Sequence, residues 1–310
     1  MAYSRRRYSS YRGRRPIRRS ARRSRYTART PRYTKRVSRR RPMTRRRVLN
    51  VTSRKKRDNM WAISNTSIAT PSGGTTYQNG PAYLAPNGIY LFPWCATARD
   101  NTLAQPGGRS TVFDDASRTS TTCYMRGLKE TVTFNTTGGL AWKWRRICFT
   151  SKNTFGFDSS PYADNVEDTS GFRRVLNNTF TGSVSNLLLA ALFEANGGVD
   201  FADLFIAKTS STRVSVKYDK TRVIQSGNND GAMRTFKLWH PMNANLVYDD
   251  EESGGGKQGA IRSTAGNPGM GNYYVIDIIT AGAGDNISAN DPSQYQARFY
   301  PQSTLYWHEK

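Results

Sequence analysis

Arginines in pairs and triplets dominate the start of this sequence: Arg5-Arg6-Arg7, Arg12, Arg14-Arg15, Arg18-Arg19, Arg22-Arg23, Arg25 and Arg39-Arg40-Arg41. A guanidinium group stays ionised and presents a planar fork of donors, which matches the oxygens of a phosphodiester. Tyr3, Tyr8, Tyr11, Tyr26 and Tyr33 are interleaved with them and offer ring faces on which unpaired bases stack. Each neutralised phosphate releases condensed counterions, so binding of this kind is independent of base sequence and steeply dependent on salt. The pattern predicts a nucleic-acid-binding segment with a leaning toward single strands. Two denser clusters, Arg45-Arg46-Arg47 and Arg54-Lys55-Lys56-Arg57, also have the form of nuclear import signals.

The distribution of charge sharpens this reading. Of 47 Lys and Arg residues, 25 lie in residues 1–57, which contain no Asp or Glu. Residues 58–310 hold the remaining 22 basic residues against 22 acidic ones, so they are neutral overall. This excludes a uniformly basic globule, and it excludes an enzyme whose positive cleft collects an acidic substrate. Residues 1–57 are rich in Arg, Ser, Thr and Tyr and have few aliphatic side chains before Val48. Such a segment buries too little apolar surface to offset its ordering entropy and is expected to be disordered when free. As a coil its ends would lie about 40–45 Å apart, with a limit of about 200 Å when extended. No apolar stretch follows it, so it does not read as a secretory leader, and no apolar run suits a membrane span.

The other residues capable of chemistry are sparse. His240 and His308 lack partners at metal-ligand spacing. Cys95, Cys123 and Cys148 are spaced unlike a zinc site or a redox pair and read as reduced thiols. Gly254-Gly255-Gly256-Lys257 lacks the residues of a phosphate loop, and Gly266–Gly271 reads as a turn. The acidic run Asp249–Glu252 reads as a solvated loop rather than a cation site. Neither a cofactor nor catalysis is expected. The stretch Trp142-Lys143-Trp144-Arg145-Arg146 has two readings, stacking and phosphate contacts on an inner surface or two core tryptophans, and core burial is the commoner fate of such rings.

The elements that must carry these residues are strands. Alternation predicts strands over 123–135, 213–218, 233–239, 273–280 and 297–307, with another at 60–69. In 123–135, Leu128, Val132 and Phe134 share a face on which Glu130 is the exception. In 141–150 the apolar face switches midway, which suggests a bulge or uneven burial. One helix is expected over 185–194, closed by Asn196-Gly197-Gly198. Gly, Pro and Asn clusters separate the strands, and the connections exceed hairpin length. The expectation is an all-β domain over 58–310, an eight-stranded antiparallel jelly-roll sandwich with long loops and one short helix, preceded by the arm at 1–57.

The chain resembles the capsid proteins of genomoviruses, of the gemycircularvirus type. The resemblance rests on the Arg-rich start, Asn50–Asp58, Phe92-Pro93-Trp94, Tyr124–Glu130, Trp144–Phe149, Leu246–Asp250, Pro268–Gly271 and Leu305–Lys310, in that order along nearly the whole chain. More distantly, it is similar to geminivirus coat proteins. The resemblance implies a jelly-roll subunit that self-assembles as a homo-oligomer of sixty copies into a T=1 icosahedral virion. It implies packaging of a circular single-stranded DNA genome by the arm and passage through the host nucleus by way of host nuclear import receptors, with no membrane contact. Sixty arms would carry about 1,500 positive charges, enough to compensate a strand of about 1,500–2,500 nucleotides. The alternative left by the residues alone is a cellular chromatin- or RNA-associated protein with a basic tail.

Overall fold

The computed structural model describes residues 43–310 except 104–106, 160–162, 181, 196 and 283–295. The arginines and tyrosines of the arm up to Arg41 lie outside the described residues. The chain divides into two units, Met1–Thr44 and Arg45–Lys310. All the strands and helices among the described residues lie in the second.

Eight long strands build two antiparallel sheets: β1 (Arg54–Met60), β2 (Ile89–Cys95), β3 (Thr122–Thr136), β4 (Trp142–Ser151), β5 (Ser215–Ile224), β6 (Ala232–Val247), β7 (Asn272–Ala281) and β8 (Ala297–Glu309). The first sheet runs β1-β8-β3-β6, with the short strand Ala82–Leu84 also paired to β8. The second runs β5-β4-β7-β2. Two helices, α1 (Arg45–Thr52) and α2 (Ser183–Leu192), accompany them. The unit is therefore all-β in class, as expected.

Apolar side chains from both sheets meet in two clusters. One gathers Met60, Trp94, Met125, Leu128, Leu246, Val275, Leu305 and Trp307. The other gathers Phe92, Val132, Phe134, Trp142, Trp144, Ile279 and Phe299. A third cluster lies on the opposite face of the second sheet, where Leu91, Ile147, Phe149, Tyr274, Ile276 and Ile278 pack beneath Val184, Leu188 and Leu192 of α2. The second sheet is thus covered on both sides, and β7 is buried from Asn272 to Ile279.

This two-sided burial explains the switching face of 141–150. Trp142, Trp144, Arg146 and Cys148 point between the sheets, while Ile147 and Phe149 point toward α2. No bulge interrupts β4; the register shift lies in its neighbour β5, between Val216 and Tyr218. The strand β2 escaped the sequence reading because Pro93 stands in its middle. Pro93 is tolerated because β2 is an edge strand. The expected boundary between Arg57 and Asp58 falls inside β1: Arg54 to Met60 form one ladder with Glu309 to Ser303.

Glu130 ceases to be an exception once its surroundings are known. It is buried on the inner face with Arg146, Arg174 and Asp277. Arg146 Nε donates to Asp277 Oδ1 at 2.7 Å and Arg174 Nη2 to Asp277 Oδ2 at 2.6 Å. Arg174 Nε reaches Glu130 Oε1 at 3.1 Å, Arg146 also bonds Glu130, and Ser303 donates to Glu130 at 2.8 Å. Burial alone would raise both carboxyls; the two guanidinium groups outweigh it and hold them below the ordinary range. Two cations and two anions thus join the sheets at their centre.

The reading of Trp142–Arg146 as an inner DNA-contact surface is corrected by the same geometry. Trp142 and Trp144 are core residues, and Trp144 Nε1 donates to Asp277 at 2.7 Å. Arg146 belongs to the buried network, and Arg145 is held by Asp219 at 2.7 Å and by the Leu204 carbonyl at 2.6 Å. Only Lys143 is exposed, near the ring of Phe205. Asp250 is likewise no solvated carboxylate: Arg118 grips both its oxygens, at 2.6 and 2.9 Å. Gly266–Gly271 forms the turn expected before β7, with the Met270 amide bonded to the Asn245 carbonyl at 2.8 Å. All three cysteines are free and buried.

Candidate nucleic-acid interface

Among the described residues, the first sheet differs from the second in leaving one face open. Strand alternation decides what that face presents. On β1 it is Lys55, Arg57 and Asn59; on β8, Arg298, Tyr300, Gln302, Thr304, Tyr306 and His308. On β3 it is Tyr124, Arg126, Lys129, Thr131 and Thr133, and on β6, Thr235, Lys237 and Trp239. Six of these side chains are basic. The acids of the same strands, Asp58, Glu130 and Glu309, all turn inward. Each meets a buried cation there: Asp58 meets Arg99 at 3.0 Å and Glu309 meets Lys56 at 3.2 Å. The sheet therefore sorts its charges, with balanced ions inside and, outside, cations that have no ion-pair partner among the described residues.

Aromatic rings interleave with these cations. Trp239 is 49% exposed, and its ring lies 5.9 Å from that of Tyr306. Tyr124 and His308 form a second pair at 6.0 Å. Gly127 seats the indole against the sheet. Its φ is 153°, and a Cβ there would stand 2.7 Å from Trp239 Cζ2 and 2.6 Å from the His240 carbonyl. Lys129 pairs with Trp239 across the β3–β6 ladder, and Arg57 with Tyr306 across β1–β8. Together Lys55, Arg126, Lys129, Trp239, Tyr306 and His308 line an open depression of about 270 Å³, with Lys56 and Trp307 beneath. Partial burial, with Lys55 and Arg126 nearby, lowers the His308 pKa, so that ring is neutral at neutral pH.

The two basic clusters of the sequence are placed differently from a continuous linear signal. Arg45, Arg46 and Arg47 open α1. Arg54–Arg57 are strand residues that alternate: Lys55 and Arg57 face out, while Lys56 is buried against Glu309 and donates to the Ser117 carbonyl at 2.7 Å. Arg54 lies over the Phe113 ring and bonds the Val112 carbonyl. Lys56 is therefore not available to a receptor in the folded chain.

The sequence reading missed Arg126, Lys129, Lys237, Trp239, Arg298 and Tyr306. The signal existed in β8, where Arg298, Tyr300, Tyr306 and His308 all fall on even positions. It became legible only once register placed β1, β3 and β6 beside that strand.

Among the described residues no group of three or more His, Cys, Asp or Glu stands together as a metal site. No helix among them is long and apolar enough to cross a membrane. No family model matches the chain, and no curated protein matches it.

Proposed function

We propose that this chain is a viral coat-protein subunit, which assembles into a small icosahedral shell of sixty copies around circular single-stranded DNA. The observation that carries this reading is the partition of charge: 21 basic residues and no acid precede β1, on a body that is close to neutral. A polyanion is the partner that such an arm fits, and a neutral all-β body suits tiling against copies of itself.

The order of strands supports the reading. Numbered along the chain, the sheets run 1-8-3-6 and 5-4-7-2. That is the pairing produced when an antiparallel ribbon of eight strands rolls up as two Greek keys, so we read the body as an eight-stranded jelly roll. The long connections 96–121, 152–214 and 248–271 supply surface for subunit contacts, and Val112, Phe113 and Ile206 are exposed on them. The resemblance of Asn50–Asp58, Tyr124–Glu130 and Leu305–Lys310 to genomovirus capsid proteins points the same way.

With Arg54–Arg57 inside β1, sixty arms carry about 1,300 charges rather than 1,500, still the scale of a very small genome. Before assembly, Arg45-Arg46-Arg47 together with Lys55 and Arg57 would engage nuclear import receptors.

Electron microscopy of the purified full-length protein tests the proposal. Uniform closed particles holding nuclease-protected single-stranded DNA are expected. A chain that stays monomeric and binds duplex and single strands alike would overturn it in favour of a tail-bearing cellular protein. For the arm, the logarithm of the affinity for single-stranded DNA, measured by filter binding, must fall linearly with the logarithm of the salt concentration; a flat plot removes its role.

A further inference from the structure

We infer that the open face of the β1-β8-β3-β6 sheet is a second nucleic-acid site, separate from the arm, in which Trp239 stacks an unpaired base while Lys55, Arg126 and Lys129 hold the adjoining phosphates. The inference deepens the coat-protein reading and rests on it for the identity of the polymer, single-stranded DNA.

Three observations converge on that occupant. First, the face carries six cations and none of the acids of its strands, so its field attracts a polyanion and repels a second copy of itself. Second, the half-exposed indole has its support already built. Gly127 brings the backbone against one part of the ring and Tyr306 flanks it, so stacking a base costs little ordering of the side chain. Third, cations surround the platform: Lys129 is its ladder partner, and Lys55 and Arg126 line the same depression. Duplex DNA keeps its bases stacked inside and has nothing to place on Trp239; an unpaired strand does. Trp61, also well exposed, makes a useful contrast, because Arg173 already lies 4.8 Å from its ring.

The test uses the full-length protein and single-stranded oligonucleotides that carry one 5-iodouracil. After irradiation, crosslinked peptides are mapped by mass spectrometry. Crosslinks at Trp239 or Tyr306, in addition to the arm tyrosines, are expected, and Lys55→Gln with Lys129→Gln should remove them selectively. Crosslinks confined to the arm or to Trp61 would overturn the sheet site and leave the arm reading standing. If no oligonucleotide is retained at low salt, the arm reading fails as well.

A second measurement compares a normal oligonucleotide with an abasic one of equal length. Trp239→Leu should reduce the preference for the base-bearing strand by about fivefold or more. An unchanged preference would overturn the stacking role. If that variant does not fold, Trp239→Phe keeps a smaller platform and should lose part of the preference; no loss has the same consequence.

Discussion

Replacing His240 by Gln should flatten a component of the pH dependence of stability. The ring is buried on β6, 3.8 Å from Glu130 Oε2, beside the Tyr218 ring and the Cys148 sulfur. Burial pulls its pKa from 6.5 to about 4; Glu130 and Asp277 oppose that shift, and Arg146 and Arg222 reinforce it. The unfolded chain therefore takes up a proton near pH 6.5 that the folded chain refuses until about pH 4. Stability falls as pH drops through that window and is unaffected above it. Between pH 7 and 4.5 the cost is about 2.5 kcal/mol for one histidine.

Glu167 works in the other sense. Burial and the neighbouring Asp100 raise its pKa to about 7, so its contribution grows as pH falls, though its partial exposure makes it the smaller effect. Wild type alone would therefore mix the two. The difference between wild type and His240→Gln cancels everything they share. Urea unfolding followed by tryptophan fluorescence at several pH values supplies it. A difference that shifts in favour of the wild type by about 2.5 kcal/mol from pH 4.5 to pH 7 is expected. A difference that does not change with pH would refute the argument that the ring is held neutral by its surroundings.

Three further substitutions probe the sorted charges. Asp277→Asn leaves Arg146 and Arg174 sharing Glu130 alone, and should lower the unfolding free energy at pH 7 by about 3–5 kcal/mol, read from the urea midpoint. Lys56→Met and Lys55→Met, adjacent in sequence, should separate. The first strips buried Glu309 of its cation and costs about 3 kcal/mol without altering the salt slope of DNA binding. The second leaves stability within about 0.5 kcal/mol and reduces that slope by about 1.

The charge partition and the all-β class were legible in the sequence because composition and alternation are local properties. What escaped depends on partners far along the chain. Glu130 stood out as an anomaly in an apolar face, but Arg146, Arg174 and Asp277 come from three other segments, and no spacing announces them. Lys55 and Arg57 looked like a continuation of the arm, because pairing with residues near 306 and 308 is invisible locally. Trp142 and Trp144, by contrast, are core, the reading that the sequence favoured for them. Trp239, the ring that does face solvent, attracted no notice, since its neighbours in sequence are ordinary and its neighbours in space come from β3 and β8.

The position of β8 has a consequence for synthesis. It lies between β1 and β3, and its ladder joins Arg54 to Glu309. Neither flanking strand can complete its ladder until β8, the last of the eight to be made, has emerged, so the sheet closes late and over long contour distances. A substitution that weakens the pairing of β8 is therefore expected to slow the folding of the whole sheet rather than of one hairpin.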